Sequence, residues 1–308
     1  QLITCLMPLY AWYASRYHQS AIAMALHPWL LAAWLRLSDA PDFRQGRLAG
    51  IATGISGLFQ PVLLGFFGTL SLIIGLGLWI HGRKKEFVQI LLAGVCTLAV
   101  LAPWTARNYV THGRLIPVKT NFAYQLWMGN NPKATGSAFS SGGLKDAYAA
   151  NPPSCSILAG KVPEATYMDA VLDETWSYII AHPTVFVGRT MKRIFWLWTA
   201  VPQDYLRRTG EGEAIRFWWL HTGYWSLFLI LALLARIALG NFSREYFALL
   251  GLCFVVYSAT YGFTIVGNAR FRGEVEYLLI PAVAAAVSWI IERTTKTFSI
   301  APARNLEH

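Results

Sequence analysis

Charge is scarce in this chain. Only 14% of its 308 residues are Asp, Glu, Lys or Arg, where a soluble domain carries roughly a quarter, so an ordinary water-exposed surface and a charge-driven disordered chain are both excluded. Cysteine is scarce too. Of the four, Cys5, Cys96 and Cys253 fall in apolar stretches and Cys155 stands alone in a polar one, which rules out a disulfide scaffold. The seven His residues are scattered, and none pairs with another at the i+3 or i+4 spacing of a metal site. A phosphate-cradling glycine loop and a Gly-x-Ser-x-Gly elbow are both missing, so the usual chemistry of soluble enzymes has little foothold.

What the chain does have is apolar length. It is 55% hydrophobic with 13 Trp and a mean hydropathy of +0.39. A bilayer core demands runs of about 20 apolar residues whose backbone groups are bonded internally, and indole favours the membrane interface. Such runs lie near 1–14, 20–37, 47–58 with 61–80, 87–103, 217–236, 246–266 and 275–291. The expected fold is therefore an all-α polytopic membrane protein, a multi-span helical bundle with a sizeable extracytoplasmic segment. We divide it into transmembrane helices over 1–103, an extracytoplasmic segment with an interfacial helix over 104–216, and C-terminal transmembrane helices over 217–305. Within the middle segment a helix is predicted near 164–182 and a basic, aromatic interfacial helix over 189–201. The stretch 47–58 is short for a span; its Gly50, Gly54 and Gly57 suit close helix packing, and Gln60-Pro61 should break it from the next helix. Opening at Gln1 inside an apolar run suggests a fragment, and Leu306-Glu307-His308 resembles a tag remnant.

Orientation follows from short basic loops. Gly82-Arg83-Lys84-Lys85 marks the cytoplasmic side, which brings Arg44, Arg47, Arg236, Arg244, Arg293 and Lys296 with it and sends 104–216 outside. Fifteen of the 26 Lys and Arg then lie outside, twelve of them within 104–216. Long loops are exempt from the positive-inside rule, so this excess needs another explanation. The net charge of +10 comes without a basic stripe interleaved with aromatics, which argues against nucleic acid; anionic lipid or a phosphate-bearing substrate accounts for it.

The most informative stretch starts where a span leaves the membrane. It reads Pro103-Trp104-Thr105-Ala106-Arg107-Asn108-Tyr109, then Gly113, Pro117, Thr120-Asn121-Phe122-Ala123-Tyr124-Gln125-Leu126-Trp127-Met128-Gly129-Asn130-Asn131-Pro132 and Ala134-Thr135-Gly136. Arg107 at that height can reach a phosphate with a planar fork of donors. Asn108, Asn121, Tyr124, Asn130 and Asn131 offer neutral donors and acceptors for sugar hydroxyls, and Trp127 a flat apolar face. The same residues also admit an architectural reading, with Arg107 as interfacial anchor, Asn131-Pro132 as a turn and the aromatics packing the segment onto the bundle.

These residues resemble the first outer motif of bacterial dolichyl-phosphate-mannose-protein-mannosyltransferase-like enzymes, membrane glycosyltransferases of the C fold. Downstream, His182-Pro183 through Phe186, Arg189, Lys192-Arg193 and Trp196-Leu197-Trp198 resembles the family's His-Pro-x-x-Phe segment and its basic, tryptophan-rich helix. A third block, Ala269-Arg270-Phe271-Arg272-Gly273-Glu274-Val275-Glu276-Tyr277, resembles its Arg-aromatic-Arg-Leu-Pro-Val-Glu-Pro, with Gly273-Glu274 in place of Leu-Pro and Tyr277 in place of Pro. Upstream, Pro8, Tyr13, Gln19, Gly50, Gly54 and Gln60-Pro61 fit more loosely, glutamine standing at both positions where the family tends to carry charge. All three outer blocks fall on one side of the derived topology. The resemblance spans the C-terminal two thirds of the family; the acidic catalytic base it implies is expected upstream of Gln1, since Asp39 and Asp42 lie on the cytoplasmic side.

The resemblance implies transfer of a sugar from a polyprenyl-phosphate donor to an acceptor hydroxyl on the extracytoplasmic face of a bacterial inner membrane. Stabilising the departing phosphate requires preorganised cations, and Arg270, Arg272, Arg107, Lys192 and Arg193 are the candidates. Arg270 and Arg272 can converge on one phosphate if their segment is extended, and diverge otherwise. Lipid headgroups are an alternative partner for all five. A divalent metal, where one is needed, would be held mainly by residues outside this chain. Two further functions stay open: a catalytically silent relative or subunit of a larger membrane assembly, and a lipid-linked saccharide ligase or polymerase.

Overall fold

The computed structural model describes residues 19–132, 134, 161–199, 222–238, 244–264 and 269–299. Pro8, Tyr13 and the run 1–14 lie outside these residues, as do Thr135-Gly136 and Cys155. Every regular element among the described residues is helical. Four helices follow one another closely: α1 (Gln19–Asp39), α2 (Phe43–Phe59), α3 (Pro61–Ile80) and α4 (Lys84–His112). Then come α5 (Phe122–Gly129), α6 (Glu164–Ala181), α7 (Pro183–Thr199) and α8 (Thr222–Ala238). Last are α9 (Arg244–Phe263), the short α10 (Ala269–Gly273), a 3₁₀ turn (Glu276–Leu279) and α11 (Ile280–Ser299). Five stretches are long and apolar enough to cross a bilayer: Ala21–Asp39, Pro61–Ile80, Lys84–His112, Tyr246–Phe263 and Glu276–Thr295. Their outward faces carry Leu72, Leu76, Val95, Leu98 and Val255. Bare leucine and valine over helices of this length are what lipid contact requires, and we describe the protein as membrane-embedded.

The glycines of α2 work as their spacing predicts. A side chain at Gly50 would place its Cβ 2.7 Å from the Cβ of Cys96 on α4, and one at Gly54 would lie 2.6 Å from the Cβ of Val100. Gly46 continues the row, its would-be Cβ 2.8 Å from the Gln89 carbonyl oxygen. With the backbones this close, the Thr97 hydroxyl on α4 donates to the Gly50 carbonyl at 3.0 Å, an interhelical bond of the kind that apolar surroundings favour. On its other flank α2 is tied to α1 by the Trp34 indole, which donates to the Thr53 hydroxyl at 2.9 Å. Large side chains fill the remaining core, where Phe66 and Phe67 of α3 meet Leu30 and Leu37 of α1 and Tyr257 of α9.

Gln60 and Pro61 separate α2 from α3 as expected. Gln60 leaves the helical conformation (φ −136°, ψ 97°) and Pro61 begins α3, where a missing N–H costs nothing. The exit of α4 differs from expectation. The apolar run ends near residue 103, yet the helix continues through Pro103 to His112 and stops at Gly113, whose φ of 68° is left-handed. Proline removes only one ladder bond, and loss of apolar character reports a helix's surroundings, not its end. Trp104 to Tyr109 are therefore helical, and the expected boundary between transmembrane and extracytoplasmic segments falls within an element.

Packing this tight makes a testable contrast. Gly50→Val should lower stability by about 1–3 kcal/mol or more through overpacking, whereas Gly65→Ala on α3, with open space around its Cα, should be neutral or slightly stabilising. Thermal unfolding of the two variants in detergent micelles compares them directly.

Candidate functional site

The three sequence blocks meet at the end of the bundle that holds Gln60. After Gly113 the chain folds back along α4. The Trp104 indole donates to the Val118 carbonyl at 2.8 Å, the Thr105 hydroxyl to Pro117 at 3.0 Å and the buried Asn108 amide to Ile116 at 3.0 Å. The first motif thus encodes a helix end and its returning strand of chain. Arg107 is exposed, stacks its guanidinium 5.2 Å from the centre of the Trp104 ring and donates to the Asn108 side-chain oxygen at 3.1 Å.

Arg193 joins the first two blocks. It is fully buried and its donors reach the Gly262 carbonyl at 2.5 Å, the Gly129 carbonyl, the Asn130 side-chain oxygen at 3.0 Å and the Thr190 hydroxyl at 3.0 Å. Two of these acceptors are carbonyls at the ends of α5 and α9, which helices leave without internal partners. A guanidinium stays charged even when buried, so a cage of oxygens replaces its water. The neighbouring amides serve the same ends: Asn130 donates to Leu126 and Phe263, both at 2.9 Å, and Asn131 donates to Trp127 at 3.0 Å. Arg189 donates to the Asn131 carbonyl at 2.8 Å.

Arg272 joins the second and third blocks. It too is fully buried, paired with Glu276 at 2.7 Å, donating to the Trp198 carbonyl at 2.5 Å and lying 4.7 Å over the Trp225 ring. The segment around it is helical (Ala269–Gly273), not the extended backbone that would aim residues i and i+2 at one phosphate. Beside this pair Glu274 is buried, accepting from the Gln60 amide at 2.8 Å and the Tyr257 hydroxyl at 3.2 Å, while its backbone carbonyl faces His27 Nδ1 at 2.8 Å. Gln60 also donates to the Tyr261 hydroxyl at 3.0 Å. The Gln19 side chain lies outside the described residues.

Against this floor opens a cleft of about 470 Å³, in the size range of small-ligand sites. Its polar lining is Gln60, Lys119, Asn121, Gln125, Thr260 and Thr264. Stacked rings of Tyr261 and Phe271, centroids 3.9 Å apart, belong to the wall, together with Val62 and Leu64 from the first turn of α3. Lys119 is exposed and its ammonium donates to the Phe59 carbonyl at 3.1 Å.

Of the side chains named from sequence, Asn121 lines the cleft. Asn108, Trp127, Asn130, Asn131, Arg193 and Arg272 are buried and their described contacts hold backbone or core; Tyr124 is half-buried, and Arg107 and Lys192 are exposed. The Arg270 side chain lies outside the described residues. Sequence reasoning missed Lys119 and Gln125, although both sit inside the first motif, and Glu274, whose signal is an acid placed next to an apolar span. Among the described residues no three His, Cys, Asp or Glu side chains cluster as a metal-holding group. No protein family, characterised protein or solved structure matches this chain.

The buried ion pair yields a double-mutant test. Arg272→Met or Glu276→Leu alone leaves an uncompensated buried charge and should cost about 3–5 kcal/mol. The double variant should lose much less than the sum of the two, as read from the unfolding midpoints of all four proteins.

Proposed function

We propose that this chain is an integral membrane glycosyltransferase that moves a sugar from a polyprenyl-phosphate donor to an acceptor hydroxyl on the extracytoplasmic face of a bacterial inner membrane. The observation that carries the reading is the interlocking, at one end of a membrane bundle, of the three blocks that resemble such enzymes, beside a cleft lined by amides, hydroxyls and a lysine. A donor of this kind is an amphiphile. Its sugar-phosphate head matches the polar lining, and Val62 and Leu64 offer an apolar edge toward the membrane for the first isoprene units. Asn121, Gln125 and Gln60 supply sugar contacts, and the Lys119 ammonium meets the phosphate, where a cation stabilises the charge that develops as the glycosidic bond breaks. Arg107 and Arg270 remain phosphate candidates. Arg193 and Arg272 act in this reading as positioning residues, holding the segments that form the wall.

A second reading has its own support. Glu274 and Glu276, two carboxylates beside the cleft, are turned into the core and bonded there, which suits a silent relative that binds lipid-linked saccharide or serves a larger assembly.

Transfer from radiolabelled polyprenyl-phosphate sugars by membranes containing the protein tests both. Lys119→Ala should reduce transfer roughly ten- to hundredfold, the worth of a charge-assisted contact, and Asn121→Ala roughly two- to tenfold, the worth of a neutral one, while Lys84→Ala at the opposite end should leave it unchanged. Equal transfer by all four proteins would remove the cleft assignment. Donor binding without transfer in the wild type would favour the silent reading.

A further inference from the structure

Helix α7 is built inside out. A helix lying against water buries its apolar residues and exposes its charges. Here Arg193 is fully buried while Val187, Met191 and Phe195, spaced four apart along one stripe, are 58%, 62% and 52% exposed. Arg189 likewise turns toward the protein, donating to the Asn131 carbonyl and, at 3.3 Å, to the Tyr178 hydroxyl. Lys192, next to Met191, is the exposed charge on the outward side.

Its register against α9 says where this stripe lies. Phe186 stacks on Phe263 at the end of α9, with centroids 5.9 Å apart. Two turns on, Ile194 packs where Gly262 has no side chain. Further along, the Trp198 indole donates to the Ser258 hydroxyl at 2.9 Å and its ring stacks on Phe254 at 5.0 Å. As α7 advances from 186 to 198, its partner residue on α9 recedes from 263 to between 258 and 254. At 1.5 Å per residue this is a descent of roughly 8–13 Å alongside a helix that is itself long and apolar enough to cross a bilayer. At the level reached, α9 exposes Phe254 and Val255.

The helix before it fits the same placement. Early on, the outward face of α6 shows Thr166, Asp169 and Asp173; near the elbow at His182-Pro183 it shows Trp176 and Ile180, 47% and 75% exposed. Acids belong in water, and an exposed tryptophan belongs at the membrane interface.

We infer that α7 enters the bilayer beside α9 to roughly half the depth of a leaflet or more, with Val187, Met191 and Phe195 against acyl chains and Lys192 reaching back to headgroup phosphates. The segment between α4 and α8 is therefore not wholly outside the membrane, and α7 does not lie flat on its surface as sequence alone suggests. This inference is independent of the proposed activity.

Collision measurements on spin labels test it in vesicles of phosphatidylethanolamine and phosphatidylglycerol. Labels would be placed one at a time through Met191→Cys, Phe195→Cys and, as references, Val255→Cys on α9 and Asp173→Cys on α6. Labels at 191 and 195 should collide with oxygen several-fold more than with a water-soluble nickel chelate, as at 255, and the label at 173 should show the reverse. Water-type collisions at 195 with lipid-type collisions at 255 would overturn the inference. The unmodified protein gives an independent reading: phospholipid carrying an acyl-chain diazirine should label the peptide containing Met191 and Phe195, and absence of that adduct alongside labelling of α9 would equally count against it.

Discussion

Arg193 sits where helices end. Each end leaves carbonyls without an internal partner, and inside a membrane protein water is not at hand to take them. Its guanidinium accepts this task for α5 and α9 at once, while its own charge is balanced by the oxygens it gathers. Arg272 repeats the device a short way off, joining the end of α7 to the turn that precedes α11 and drawing Glu276 in as counterion. The folding of the segment after α4 onto the bundle depends on this exchange, in which buried cations and buried backbone oxygens each remove the other's desolvation cost. Such sites are rigid because a half-satisfied version is worse than none, and rigidity is what a cleft wall needs.

The bundle was legible from sequence wherever the signal was apolar length or a backbone-specific residue. The glycine row of α2, the break at Gln60-Pro61 and the helix over 164–182 follow from local chemistry that tertiary context does not reverse. The exit of α4 was not legible, because hydropathy reports the solvent around a helix and not its hydrogen bonding. The basic residues were the least legible. An arginine near the end of a span reads the same whether it faces a ligand or caps buried carbonyls, and only the fold separates Arg193 from Arg107. Asn130 and Asn131, chosen for their fitness to hold sugar hydroxyls, use the same amide chemistry on the backbone of their own helix.

The candidate site changed composition accordingly. Arg193 and Arg272 became its frame, and its lining came from Lys119 and Gln125, inside the first motif but not chosen for binding, together with Thr260 and Thr264 from the far side of the chain. Nothing in a linear reading brings 60, 119 and 261 together; the returning segment after Gly113 does so.

Helix α2 is 17 residues long, about 25 Å against a hydrocarbon core of about 30 Å. Among the described residues one side of it is not screened by protein, for Leu48, Ile51, Ile55 and Phe59 are all exposed. Were α2 to cross the bilayer, lipid against this face would have to thin to meet it, at a cost of a fraction of a kcal/mol per Å. Gln60 and the cleft lie immediately beyond one end of the helix, so the headgroup layer there would dip toward them. A lipid-borne substrate approaching from this side would find its polar head lowered to the level of the cleft by the shape of the membrane itself.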